Sequence, residues 1–156
     1  SRGLGDVYKR QLTINKAIGN GLEMFKQNNL NVIWQTGESF SKKANQLINE
    51  INTIGITTHS FIKNIETAYN LADIIVSRAG AIAISELCVV GKPVILIPSP
   101  NVAENHQFKN AQSLVNKNAA ILVKDTQANN KPNQPKNTAP SPILVASFFS
   151  LFVSKT

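Results

Sequence analysis

The chain has 156 residues, a formal net charge of +7 and 42% hydrophobic residues. This length allows one globular domain with a modest hydrophobic core, and the composition is too apolar for a disordered chain. The single cysteine, Cys88, excludes an internal disulfide and fits a reducing compartment, and its apolar neighbours predict a buried thiol rather than a nucleophile. No apolar run reaches the ~20 residues that span a bilayer, and the first residues do not resemble a signal peptide.

The excess of basic residues lies mostly at the two ends of the chain. Residues 1–11 carry three basic residues against one acidic residue, and residues 126–156 carry three basic residues and no acidic one. Residues 12–125 hold ten basic and eight acidic residues, without a basic stripe interleaved with aromatic side chains. We therefore expect no nucleic-acid partner.

Both ends differ in character from the segment between them. Residues 1–11 show no helical or strand periodicity and resemble an adaptor-derived string from a translated metagenomic fragment, with a frayed terminus as the alternative. Residues 126–142 contain four prolines among polar residues, a composition that builds no core. Residues 143–153 are abruptly apolar, which suits a membrane-surface or aggregation-prone segment, but a frameshifted or disordered tail over 126–156 is the simpler interpretation. This apolar run could also contact faces that missing elements leave uncovered.

The segment between the ends alternates β-prone runs with helical patterns. This alternation predicts one Rossmann-like α/β domain over residues 12–125, with a parallel sheet covered on both faces. Ligands of such sheets bind at the carboxyl ends of the strands, which places candidate sites after Thr36, Ser77 and Ile97. Strands are predicted over 31–36, 56–62, 73–77, 92–97 and 119–123. Helices are predicted over 13–27, from a cap at Ser39 or Ser41 to Ile51, and over 65–71, 81–90 and 104–116. Gly91 is predicted to terminate the helix over 81–90.

The turn after the third predicted strand is the strongest candidate for a ligand site. Gly80 lets the backbone approach a ligand closely, and the helix that begins at Ala81 presents unpaired N–H groups and a positive dipole end. Glu86 lies about 9 Å further along the helix, and its carboxylate can accept from both hydroxyls of a ribose. A solvated or salt-bridged glutamate is the alternative. Arg78 could neutralise a phosphate or pair with Glu86 or Asp73, and spacing does not decide between these roles.

A second polar cluster follows the strand that ends at Ile97. His106 and Gln107 are multidentate hydrogen-bonding residues of the kind that read sugar hydroxyls, although an exposed helical histidine is the alternative for His106. Near another strand end, Phe61 and Ile62 could hold a nucleobase or pack in the core. Two distant histidines and one cysteine do not have the spacing of metal ligands, so we expect no metal and no other cofactor.

Together, these segments resemble the C-terminal domain of the bacterial peptidoglycan glycosyltransferases that make lipid II from lipid I and UDP-N-acetylglucosamine. The resemblance covers nearly all of residues 12–125 and rests on the ordered set rather than on any one segment. The motifs are Thr13-Ile14-Asn15-Lys16-Ala17, Trp34-Gln35-Thr36-Gly37, Phe61-Ile62, Ala68-Tyr69-Asn70-Leu71-Ala72-Asp73, Ser77-Arg78-Ala79-Gly80-Ala81, Ser85-Glu86, Gly91-Lys92-Pro93, Ile97-Pro98, His106-Gln107 and Asn110-Ala111.

The resemblance implies the donor-binding half of a two-domain glycosyltransferase of the GT-B fold. Transfer would invert the anomeric centre without a metal, and the N–H groups at the start of a helix would stabilise the departing UDP. By this resemblance, the backbone of Ile62 would contact the uracil and Glu86 would bind the ribose. Ala81, Ile82 and Ala83 would approach the sugar and the diphosphate. His106 and Gln107 would bind the N-acetylglucosamine hydroxyls.

Three departures from the family pattern shape the remaining expectations. The Gly-Gly-Ser phosphate loop of the family should precede Thr13, the acceptor-binding N-terminal half with its general base and membrane-facing patch is missing, and the tail replaces the last helices. We therefore expect a truncated half that is inactive alone. Its complete form would bind lipid I through the N-terminal half, in the cytoplasm at the inner face of the membrane. The alternatives are a separate nucleotide-sugar-binding subunit of a split glycosyltransferase and a UDP-sugar epimerase of similar fold.

Overall fold

A computed structural model describes residues 4–100, 105–128 and 151–155, with side chains described for 12–100 and 105–128. Helices and strands alternate along most of the chain, as the sequence predicts. The elements are α1 (Leu4–Gln27), β1 (Leu30–Gln35), α2 (Glu38–Ile51), β2 (Ile56–His59), α3 (Ile65–Leu71), β3 (Ile74–Ser77), α4 (Ala81–Val90), β4 (Val94–Leu96), α5 (His106–Val115), β5 (Ile121–Leu122), α6 (Asp125–Ala128) and β6 (Leu151–Lys155).

The strands form one six-stranded sheet in the order β2-β1-β6-β3-β4-β5. The pairs β1–β2, β3–β4 and β4–β5 are parallel, whereas β6 is antiparallel to both of its neighbours, β1 and β3. The described strands of residues 12–125 pair in parallel, as predicted, and the antiparallel strand comes from the tail beyond that range. Part of the apolar run in the tail supplies this strand, in line with the expectation that the run could contact an uncovered part of the domain.

Two hydrophobic cores cover the two faces of the sheet. Successive strand residues point to opposite faces, so Val76 and Ile95 belong to one core while Ile75 and Val94 belong to the other. The first core contains apolar residues of α1 and α2. Among those of α1, Ile14 is fully buried. The second core contains residues of α3, α4 and α5. This arrangement confirms the predicted coverage on both faces.

The ends of several elements differ from the sequence-based predictions. The first helix begins at Leu4 rather than Thr13, because residues 4–12 contain no proline and continue the helix. The second helix has no serine cap: its N-cap is Gly37, which has no side chain to cap the helix and whose φ of 71° is accessible to glycine. The fourth helix ends at Gly91 as predicted, with φ of 65° and its N–H donated to the Leu87 carbonyl.

Cys88 is exposed, contrary to the prediction of a buried thiol. Leu87, one position earlier, is the buried residue of α4, and a rotation of about 100° per residue turns Cys88 away from that core. Apolar neighbours in the sequence therefore did not indicate burial here.

The predicted start of the fifth helix at Glu104 lies outside the described residues, within 101–104. Residues 129–150 of the predicted tail are outside them as well, and the adaptor-derived and frameshifted origins of the two ends stay predictions. No helix in the described ranges is both long and apolar enough to cross a bilayer.

Candidate functional site

Hydrogen bonds fix the loop after β2 to the carboxyl end of β1. Gln35 is buried at that end, and its side-chain carbonyl accepts the backbone N–H of Ile62 at 2.9 Å. The next residue, Thr36, donates its backbone N–H to the His59 carbonyl at 2.8 Å. The backbone of Ile62, which the resemblance assigns to uracil, is thus held by a buried amide, and only part of its hydrogen-bonding capacity is left for a ligand.

A buried polar network between α1 and β1 supports the same strand end. Asn15 of α1 donates to the Thr36 carbonyl and accepts from the Trp34 indole N–H, each at 2.9 Å. Asn15 and Trp34 are both fully buried. Because a buried polar group costs free energy unless it is hydrogen-bonded, this pairing specifies how α1 docks on β1.

The turn after β3 leaves an open surface at the start of α4. Gly80 has φ of −66° and ψ of 149°, an ordinary extended conformation, and no heavy atom lies within 4 Å of the position that a Cβ would occupy. Within the described protein, neither backbone freedom nor lack of space therefore requires glycine at this position. Ala81 and Ile82 are exposed, and the first N–H groups of an α-helix have no partner within the helix. A ligand can reach those groups.

Arg78 lies in the interior, beneath this surface. It is 1% exposed, its guanidinium donates to the Ile97 carbonyl at 3.0 Å, and it forms an ion pair with Asp125. Glu86 and Asp73 were the carboxylate partners predicted from the sequence, whereas Asp125, which follows β5, was not predicted. The buried guanidinium supports the ends of β3 and β4, and its contact with a substrate phosphate stays a prediction.

The start of α5 is fastened to the ends of β3 and β4. Gln107 is buried, and its side-chain carbonyl accepts the Ser99 backbone N–H at 2.9 Å. Asn110, one helical turn later, donates to the Ala79 carbonyl at 3.1 Å and so brings α5 to the turn that contains Gly80. His106 is exposed at the first position of α5.

Glu86 is exposed on α4, and one of its carboxylate oxygens accepts the phenol hydroxyl of Tyr69 at 3.2 Å. Tyr69 belongs to α3 and is only 7% exposed. The glutamate is therefore neither buried nor wholly solvated: a buried residue of the neighbouring helix holds one side of it.

The candidate site is an open face rather than an enclosed cavity. A cavity of about 300 Å³ beside it is bordered by Ser99, Phe108 and Asp125, and another of about 380 Å³ lies between Cys88 and Leu114. Neither is lined by Gly80 or Glu86.

Sequence reasoning found the exposed members of this face and missed most of its supports. Gln35, Asn110 and Tyr69 were noticed only within motifs, without a role. The available signal was position: each is a hydrogen-bonding residue within or beside an apolar segment that the α/β pattern buries, and such residues require a partner.

Comparison with known proteins identifies the class to which this fold and face belong. A model of the glycosyltransferase family 28 C-terminal domain matches residues 9–134, a range that extends a few residues beyond both predicted ends of the domain. The chain belongs to this family. Its α/β domain is the Rossmann-like, C-terminal half of a GT-B glycosyltransferase, which confirms the fold that the resemblance implied.

The particular relatives are peptidoglycan enzymes. The chain is 46% identical over 116 residues to the UDP-N-acetylglucosamine–N-acetylmuramyl-(pentapeptide) pyrophosphoryl-undecaprenol N-acetylglucosamine transferase of Parabacteroides distasonis, covering 74% of the chain and 32% of the relative. Enzymes with the same name are 48% identical in Bacteroides fragilis (76% of the chain, 32% of the relative) and 52% identical in Cytophaga hutchinsonii (74% and 30%). The crystal structure of Acinetobacter baumannii MurG matches with a TM-score of 0.66 and 26% identity, over 74% of this chain and 33% of that one. The chain thus spans about a third of the length of these relatives.

Proposed function

We propose that this chain is the donor-binding half of an inverting N-acetylglucosaminyltransferase that converts lipid I to lipid II in peptidoglycan synthesis. The observation that carries the proposal is 46–52% identity to transferases of that name over 74% of the chain. The donor would be UDP-N-acetylglucosamine.

The structure supports a particular placement of the donor along this edge. The uracil would lie against the loop that contains Ile62, and the ribose would lie at Glu86 on α4. The diphosphate would lie over the start of the same helix, where Gly80, Ala81 and Ala83 offer open backbone and a positive dipole end. Ile82, which is 78% exposed, would present an apolar side chain beside it.

The sugar would lie toward the start of α5. His106 is exposed there, and its ring nitrogens can donate to or accept from hydroxyl groups. The side-chain carbonyl of Gln107 is engaged by Ser99, so the amide nitrogen is the part of Gln107 that can donate to a sugar hydroxyl. Arg78 would contribute indirectly, through the strand ends that it supports.

The reaction would use binding and electrostatic stabilisation on this half. As the bond between the anomeric carbon and UDP breaks, negative charge develops on the diphosphate, and the N–H groups at the start of α4 would stabilise it. The general base and the lipid I site would belong to the acceptor-binding half of the complete protein. That protein would act in the cytoplasm, peripherally bound to the inner face of the cell membrane.

Titration calorimetry on the purified chain tests the donor site. We expect UDP to bind, and Glu86→Gln to weaken binding about tenfold, because a hydrogen bond to a charged group is worth ~1.5–3 kcal/mol against ~1 kcal/mol for a neutral one. Glu50→Gln removes an equally exposed carboxylate from α2 and serves as the matched control. Equal affinities for UDP in the wild type and Glu86→Gln would remove Glu86 from the site, and absence of UDP binding would refute the proposed donor half.

A further inference from the structure

The contact between Tyr69 and Glu86 joins a rigid side chain to an exposed one. The phenol hydroxyl donates to Oε2 of Glu86 at 3.2 Å, while the ring of Tyr69 packs in the second core with Ala72 and Leu87. An exposed glutamate otherwise samples several rotamers, and each must be given up when a ligand binds. A hydroxyl fixed by the core can remove part of that cost in advance.

We propose that Tyr69 is a positioning residue for nucleotide binding, and that its hydroxyl holds the Glu86 carboxylate toward the two hydroxyls of the ribose. The proposal rests on the donor site described above. A carboxylate has about four lone-pair positions on its two oxygens, so one bond from Tyr69 leaves enough acceptors for both ribose hydroxyls.

The helix that carries Tyr69 is held at both ends. At its start, the Asn64 side chain accepts the Thr67 backbone N–H at 3.1 Å. At its end, the Lys92 ammonium donates to the carbonyls of Asn70 and Ala72, at 2.7 and 2.6 Å. A two-turn helix is marginal by itself, and these contacts stabilise its position relative to β4. Tyr69 therefore has a defined location from which to direct Glu86.

The same helix begins three residues after Ile62, whose N–H is held by Gln35. The loop assigned to the base is thus part of the same supported segment as Tyr69, which contacts the Glu86 carboxylate assigned to the ribose. Movement of α3 would displace both together. This connection predicts that Tyr69 affects recognition of the ribose more than it affects the stability of the fold.

A double-mutant cycle distinguishes positioning from simple helix packing. UDP and 2′-deoxy-UDP are titrated by calorimetry against the wild-type chain, Tyr69→Phe, Glu86→Gln and the double variant. Tyr69→Phe keeps the ring in the core and removes only the hydroxyl. Thr67→Val removes a hydroxyl from the same helix without touching Glu86 and is the matched control. Fluorescence of the single tryptophan, Trp34, during urea unfolding reports whether each variant folds.

We expect Tyr69→Phe to weaken UDP binding about fivefold, less than the tenfold expected for Glu86→Gln, because Tyr69 acts on the ribose only through Glu86. It should weaken 2′-deoxy-UDP binding less. In the Glu86→Gln background the same change should cost less than twofold, and Thr67→Val should change neither affinity. Two results would refute the positioning role. Tyr69→Phe could leave the affinities for UDP and 2′-deoxy-UDP unchanged, or it could lower them equally in the wild type and in the Glu86→Gln background. If Glu86→Gln still weakens UDP binding in either case, the donor site stands. If the folded wild-type chain does not bind UDP, both proposals fail.

Discussion

Replacing Asp125 by asparagine removes the charged partner of the buried Arg78 guanidinium while keeping the shape of the side chain. Arg78 is 1% exposed and the Asp125 side chain is 14% exposed, so the pair is shielded from water on one side and partly wetted on the other. Removing one partner of a fully buried pair costs about 3–5 kcal/mol. Because the Ile97 carbonyl still accepts from Arg78 and water can reach position 125, we expect a smaller loss, about 2–3 kcal/mol.

Urea unfolding followed by Trp34 fluorescence measures this loss. The only tryptophan of the chain is fully buried beside the first core, so its emission reports loss of packing. With a slope of roughly 1.5 kcal/mol per molar urea, the unfolding midpoint should fall by about 1.5–2 M. Glu50→Gln, which removes an exposed charge from α2, should move it by less than about 0.3 M.

A second variant separates the charge from the packing. Replacing both residues, with Arg78→Met and Asp125→Leu, removes the buried charge together with its partner and should recover most of the lost stability, since apolar replacements of buried pairs are often neutral. A midpoint for Asp125→Asn within about 0.3 M of the wild type, a difference comparable to the error of such measurements, would show that the pair does not stabilise the fold.

Three further outcomes follow from the contacts described above. Asn15→Leu removes the hydrogen-bond partner of the Trp34 indole N–H and of the Thr36 carbonyl, and it should lower the free energy of unfolding by about 2–4 kcal/mol. The same change at the exposed Asn20 should have little effect, and urea unfolding of the two variants measures both. Cys88 should react stoichiometrically with a thiol-specific reagent under native conditions, and reaction only after unfolding would contradict its exposed position. The purified 156-residue chain should form no lipid II from lipid I and UDP-N-acetylglucosamine, because it matches about a third of its relatives' length, and measurable product would show that this third suffices.

Much of the fold followed from local patterns in the sequence. The third helix was predicted over 65–71 and observed there, and the fourth was predicted with both of its ends, because Gly91 supplies a left-handed terminating residue. The prediction of a serine cap for α2 was wrong. Ser39 and Ser41 were chosen on helix-cap preference alone, whereas the backbone leaving β1 has a positive φ at Gly37, which glycine tolerates best.

Most candidate site residues could be predicted because they lie in a turn after a strand or on the helix that follows it, and one of them, Gln107, is buried. Glu86 and His106 could be named because the α/β pattern places the strand ends on one edge. Asp125 and Tyr69 could not, because an ion pair or hydrogen bond between residues distant in sequence depends on how helices and strands pack. The same limit explains Cys88, whose burial depends on the rotation of α4 and not on its neighbours in the chain.

The strand at the centre of the sheet comes from a segment that lies far along the chain from both of its neighbours. Leu151 pairs with Trp34 and Val76, and the described strands β1 and β3 are joined in the sheet only through β6. Without β6, the β1–β2 pair and the β3–β4–β5 group would each keep an unpaired edge where β6 now lies. Contacts so distant in sequence close slowly, and unpaired strand edges invite association with other chains. A chain from which these five residues are removed should therefore be prone to aggregate through the exposed edges of β1 and β3.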